Sequence, residues 1–129
     1  MGASQLLVGA ATTDVTPPLH VPFLGFEPRQ GVFQGVHDPL YARAAVFARG
    51  GDAVAAVSAD ALGLSTDLVG RECDFVAEVR RRAAQQTSLR PEAILLAATH
   101  AHSTPETSGI THVWERADCT GGVETFADL

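Results

Sequence analysis

The chain has 129 residues, of which 46% are apolar and 19% are charged. That describes one domain, or most of one, with enough apolar residues for a packed core and a composition unlike that of a disordered chain. A net charge of −6 excludes a general affinity for nucleic acid or anionic membrane, and the absence of lysine excludes Schiff-base chemistry. Gln5 to Thr13 reads as a first strand, ended by Pro17-Pro18, which cannot continue a central ladder. Residues 19–39 form a long Pro- and Gly-rich stretch whose Phe23, Phe26 and Phe33 favour an ordered loop packed over something. Leu40 to Arg49 and Ala53 to Ala59 read as two strands joined at Gly50-Gly51-Asp52, a hairpin with a tight primed turn. Asp60 sits just past the second of them.

Ser65-Thr66-Asp67 offers a helix N-cap and a first-turn acid, and Leu68, Val69, Cys73, Val76, Val79 and Ala83 follow at helical spacing. Arg80-Arg81-Arg82 then falls in the last turns, where cations suit the helix dipole, and reads as a solvated helix end. Ala93 to Ala98 is an apolar run expected to be a buried strand. Thr120 to Leu129 reads as the opening of a second helix, and the sequence stops within it, as an incomplete domain would. The order strand, hairpin, helix, strand, helix predicts an α/β or α+β fold, a mixed sheet flanked by helices.

Cys73 and Cys119 have no Cys-x-x-Cys spacing and read as a small buried residue and a loop residue. There is no apolar run of about 18 residues, so no membrane-spanning helix is expected. The start lacks the basic region of a signal peptide, and a cytoplasmic location is the expectation.

The most informative segment is Thr99-His100-Ala101-His102-Ser103-Thr104-Pro105, which follows the last apolar run. If the strand continues through it, residues two apart share a face, and both imidazoles point the same way. Two readings follow. The histidines form part of a metal site, or they hydrogen-bond to backbone or to Asp60. A catalytic zinc takes three protein ligands and keeps one position open. The further candidates are His37, Asp38, Asp60, Glu106 and His112. Asp60 lies at a strand's C-terminal end, where the sites of open sheets gather. Ser103 has no Gly-x-Ser-x-Gly elbow around it, and no phosphate-binding Gly loop is present.

Four blocks in order resemble the neutral (non-lysosomal) ceramidase family. Residues 97–105 are similar to its Thr-His-Thr-His-Ser-Gly-Pro signature, and Val8 to Thr16 to its opening Gly-x-Gly-x-Ala-Asp-Ile-Thr strand. Val36 to Ala44 resembles its Ile-His…Tyr-Ala-Arg-Ala strand, and Val57 to Gly63 its Asp-Leu-Gly strand end. The resemblance implies that residues 1–129 are the N-terminal portion of a zinc amidohydrolase domain that cleaves the N-acyl bond of ceramide, giving sphingosine and a fatty acid, or of another lipid or small-molecule amide. It makes His100 a Zn2+ ligand, places His102 beside the metal to hold the substrate amide or its oxyanion, and sets His37 and Asp60 near the pocket. Thr104 stands where the signature has Gly, which removes the freedom of Gly at positive φ. Ala101 stands where it has Thr. The family's other ligands, a second His, a Glu and a Tyr, lie further downstream, and His112 is too near in sequence to be that second His. The alternative is an inactive fragment, or a metal-binding or interaction module without catalysis.

Overall fold

The computed structural model describes residues 4–19, 21, 23–24, 33–66, 68 and 73–108. Six strands are present among them: β1 (Leu7–Asp14), β2 (Phe23–Leu24), β3 (Tyr41–Arg49), β4 (Asp52–Ala59), β5 (Ile94–Ala98) and β6 (Thr104–Pro105). One α-helix, α1 (Phe75–Gln86), and a 3₁₀ turn at Pro91–Ala93 lie between β4 and β5. The main sheet has the order β1-β3-β4-β5, antiparallel across its first two pairings and parallel between β4 and β5. It is therefore a mixed sheet, as expected. A parallel pair needs a crossover, and α1 supplies it.

The hairpin forms where Gly50 and Gly51 take φ of 62° and 96°. Two consecutive positive φ values make a primed turn, which matches the twist of the flanking strands. From that turn the register runs without a bulge from Arg49 opposite Asp52 to Ala42 opposite Ala59. Cross-strand partners share a face. Val46, Ala55 and Ile94 form one such row, with Ala55 and Ile94 buried, Ile94 to 2% exposure. On the other face stand Val8, Phe47, Val54 and, one row on, Leu95, exposed by between 42% and 61%. The core of the described residues is thus one-sided.

The helix differs from expectation at its start and in where its arginines fall. Thr66 lies in a turn, and the N-cap is Asp74, whose side chain accepts from the Ala77 amide at 2.9 Å. A carboxylate there satisfies an orphan donor and suits the dipole, so it outcompetes the earlier Ser-Thr. Asp67 and Val69 lie outside the described residues. With the helix starting at Phe75 and running to Gln86, the arginines sit in its middle and not in its last turn. Arg81 and Arg82 both donate to Glu78 at 2.7 Å, the i,i+3 and i,i+4 spacings that meet on a helix surface. Arg80 Nε donates to the Ile94 carbonyl at 2.9 Å, tying α1 to the start of β5.

β1 begins two residues later than expected, at Leu7, and β5 gives up Ala93 to the 3₁₀ turn. The pairing of β2 with β6, Phe23 opposite Pro105 and Leu24 opposite Thr104, is not expected from the sequence. It anchors the long loop to the segment after the histidines. The second helix expected over 120–129 falls outside the described residues, as does Phe26.

Candidate active site at one edge of the sheet

Because β1, β4 and β5 run in one direction and β3 in the other, three strand ends and one strand start meet at a single edge. Asp14, Tyr41, Asp60 and Thr99 stand there. Asp14 Oδ1 accepts from the Thr16 amide at 2.8 Å, and Thr16 Oγ1 accepts from the Leu40 amide at 2.9 Å. These bonds close the chain over the edge between β1 and β3.

Asp60 is held on both sides. Its amide donates to the Tyr41 carbonyl at 2.9 Å. Its Oδ2 accepts from the Tyr41 amide at 3.0 Å and from Arg43 Nη1 at 2.9 Å. The Tyr41 amide foremost, then Arg43 and Thr99, holds this carboxyl below the usual aspartate range, against the opposing effect of burial. Arg43 lies over the Tyr41 ring, 5.1 Å from its centroid, which fixes the guanidinium by a cation–π contact.

The segment after β4 then serves as a template for the histidine turn. The Ala59 carbonyl accepts from the Thr99 amide at 2.9 Å and the Ala61 carbonyl from the Ala101 amide at 3.1 Å. Between them, His100 Nδ1 lies 2.9 Å from the Leu62 carbonyl. A carbonyl only accepts, so Nδ1 carries the proton and the lone pair is on Nε2. That tautomer is the one a metal-ligating histidine adopts when a backbone carbonyl orients its other nitrogen.

The two rings come together, but not by strand alternation. β5 ends at Ala98, and His100 has φ of 60°, the one positive value at a non-glycine residue among those described. Left-handed backbone costs an L-residue roughly 1–2 kcal/mol, and here the Leu62 bond and the flanking ladder offset it. The turn sets the ring of His102 against that of His100 with centroids 4.7 Å apart and planes at 80°. Thr104 does not occupy the left-handed position. It is extended in β6 and buried, and its hydroxyl donates to the Ala101 carbonyl at 2.9 Å. The Gly-to-Thr departure therefore costs no positive φ at this residue.

The remaining candidates are dispersed. His37 Nδ1 and Asp38 Oδ2 are 2.7 Å apart in a pair that is almost wholly exposed, and this hydrogen bond, with the neighbouring charge, raises the pKa of His37. His37 faces a cleft of about 480 Å³ that is also lined by Leu19, Phe33, Leu40, Ala101 and Ser103. The structure thus brings His37 and the flanks of the histidine turn to one cavity, while Asp60 is engaged by Tyr41 and Arg43. Glu106 is fully buried, and its Oε1 accepts from the Ser108 amide at 2.8 Å and from the Ser108 hydroxyl. His112 lies outside the described residues. Among the described residues no three His, Cys, Asp or Glu side chains gather as a metal site would require, so the chemistry of the donor set fits part of a zinc site, not a closed one. No helix of the described residues is long and apolar enough to cross a membrane. Arg43, Tyr41 and Leu62 are the participants that sequence reasoning missed.

Comparison with solved structures gives this geometry a context. Neutral ceramidase from Pseudomonas aeruginosa superposes with a TM-score of 0.63 at 22% identity, covering 81% of this chain. The fold is shared with neutral ceramidase. A second structure, described as ceramidase complexed with C2, matches with a TM-score of 0.59 at 20% identity over the same share of the chain. The chain spans 16% of the length of each. No family model matches it, and no curated protein matches it by sequence.

Proposed function

We propose that this chain carries one part of the active site of a zinc-dependent amide hydrolase of the neutral ceramidase type, acting on a lipid or other N-acyl amide. The observation that supports this most directly is His100, whose Nδ1–H is committed to the Leu62 carbonyl so that Nε2 is presented as a ligand atom. It occurs in the fold shared with neutral ceramidase. His100 would hold Zn2+, which when bound supplies Lewis-acid polarisation of the amide carbonyl and activation of water. His102, in ring contact with His100, would donate to the negative charge that develops on the amide oxygen. His37, whose pKa the hydrogen bond to Asp38 raises, stands at the rim of the cleft. The apolar walls of that cleft, Leu19, Phe33 and Leu40, suit a hydrocarbon chain.

The test is zinc content in the protein at its full natural length. Near-stoichiometric zinc in the wild type and its loss in His100→Ala is the expected result. Unchanged zinc in His100→Ala removes the assignment. A second reading, a metal-binding or interaction piece without catalysis, is favoured by the 16% of ceramidase length that this chain spans. Zinc retention without hydrolysis of N-acyl amides by the full-length protein supports that reading instead.

A further inference from the structure

We propose that Asp60 is a positioning residue, whose carboxylate stands in for its own main-chain carbonyl so that the chain can leave β3 and carry the acceptor that orients His100. This deepens the reading above and rests on it only for what the oriented ring is used for.

In an antiparallel ladder, residues that face each other as a hydrogen-bonded pair exchange two N–H···O=C bonds. Tyr41 and Asp60 are the next pair after Ala42 and Ala59. Only half of the exchange is conventional: the Asp60 amide donates to the Tyr41 carbonyl. The return bond from the Tyr41 amide goes to Asp60 Oδ2. A backbone donor at this part-buried edge needs an acceptor, and the side chain supplies it. The main chain beyond Asp60 is thereby released from β3. It turns towards β5, where Ala61 accepts from the Ala101 amide and Leu62 from His100 Nδ1.

The same carboxylate fixes where that departure occurs. Arg43, itself seated over Tyr41, ties it to β3, and the Ala59 carbonyl just before it accepts from the amide of Thr99, the residue immediately before His100. Aspartate suits this role because its oxygen reaches a main-chain amide next to its own strand, as in Asx turns. Asp60 acts through the Ala59–Leu62 backbone on the imidazole, and its carboxylate needs no contact with substrate or metal to do so.

The test reads the ring directly and uses the 129-residue chain without metal. Side-chain 15N NMR of His100, at a pH where the imidazole is neutral, is expected to show the Nδ1–H tautomer. Asp60→Ala is expected to lower the Nδ1–H to Nε2–H ratio by about tenfold, the worth of one hydrogen bond. Asp60→Asn, which keeps an acceptor oxygen for Tyr41, is expected to retain most of the ratio. A folded Asp60→Ala protein with an unchanged ratio overturns the proposal, as does equal loss in Asp60→Ala and Asp60→Asn. If Asp60→Ala does not fold, Arg43→Met decides, because it keeps the Tyr41 amide bond to the carboxylate and removes the tie from the Arg43 guanidinium that fixes it on β3. A ratio that falls in that variant supports the proposal, and one that stays overturns it. Failure of the zinc reading would show instead as zinc content unaffected by His100→Ala, with this tautomer result standing.

Discussion

Gly63 follows the Leu62 carbonyl that orients His100, and replacing it with alanine isolates one close approach. A Cβ at this position would lie 3.1 Å from both the Cα and the Cβ of Ser108. Carbon atoms pack best at about 3.5–4.0 Å, so one backbone must move by several tenths of an ångström. Neither contact is the far end of a flexible side chain, and rotamer changes cannot relieve it. The segment that must yield is tied down: Gly63 and Ser65 donate to Thr107, and Ser108 donates to the buried Glu106. Overpacking of this kind costs about 1–3 kcal/mol. Against it stands the reduced entropy of the unfolded chain, which stabilises an alanine by about 0.4–1 kcal/mol where the backbone permits it. The backbone does permit it, since φ at Gly63 lies outside the left-handed region. The clash wins, and a net loss of about 0.5–2 kcal/mol follows. With a urea m-value of about 2 kcal/mol/M, the midpoint should fall by about 0.3–1 M. Gly9→Ala is the control, because a Cβ there meets nothing within 4 Å. An unchanged or raised midpoint in Gly63→Ala, with m unaltered, would refute the packing argument.

Three further outcomes are expected. Asp74→Ala should destabilise the chain by about 1 kcal/mol through loss of the cap on α1, while Asp74→Asn should recover most of it in the same urea titration; equal effects of the two would remove the capping role. Glu78, held at a pKa of about 2 by the hydrogen bonds from Arg81 first and Arg82 second, contributes stability that is complete above its unfolded value of about 4.3 and is lost as pH falls towards 2. Asp60 acts in the same direction in both proteins, and only the Glu78 contribution is missing from Glu78→Gln, so the wild type should lose stability across that acid range more steeply than this variant, as read from urea midpoints at several pH values; parallel curves would contradict this. The ring of His37 should titrate above the ordinary value of about 6.5, with a midpoint that drops in Asp38→Asn; any stability from this exposed pair is present below that value and lost as pH rises through the shifted midpoint. A midpoint insensitive to Asp38→Asn in NMR titration would show that the pair does not persist in solution.

The hairpin was legible because two local rules agreed: consecutive glycines and alternating apolar runs on either side. The mixed sheet was legible for the same reason, since a helical pattern between two apolar runs implies a parallel crossover. The start of α1 was not. Ser65-Thr66 and Asp74 are both acceptable caps by type, and the choice between them depends on where the chain leaves the sheet. That departure is governed by bonds such as the Ser65 amide to the Thr107 carbonyl, distant in sequence. The pairing of β2 with β6 was invisible because two-residue strands carry no periodic signal.

The site shows a different division. His100 and His102 were identified by spacing, yet the reason given for their proximity, a continuing strand, does not hold. Two residues apart on a strand and two residues apart across a left-handed turn both bring side chains together, and spacing alone does not tell them apart. What distinguishes them is the acceptor for Nδ1, a main-chain carbonyl thirty-eight positions away. Asp60 was equally visible as a strand-end carboxylate, and the hairpin register holds its partners. Continuing the Gly50-Gly51 hairpin one pair past Ala42 and Ala59 sets Tyr41 opposite Asp60, and period-two alternation puts Arg43 on the same face. A carboxylate opposite a strand start, with a guanidinium two residues on, has its hydrogen bonds assigned before any substrate is considered. Free reach, more than residue type, is therefore the criterion by which a strand-end acid in such a sheet should be sorted into chemistry or support.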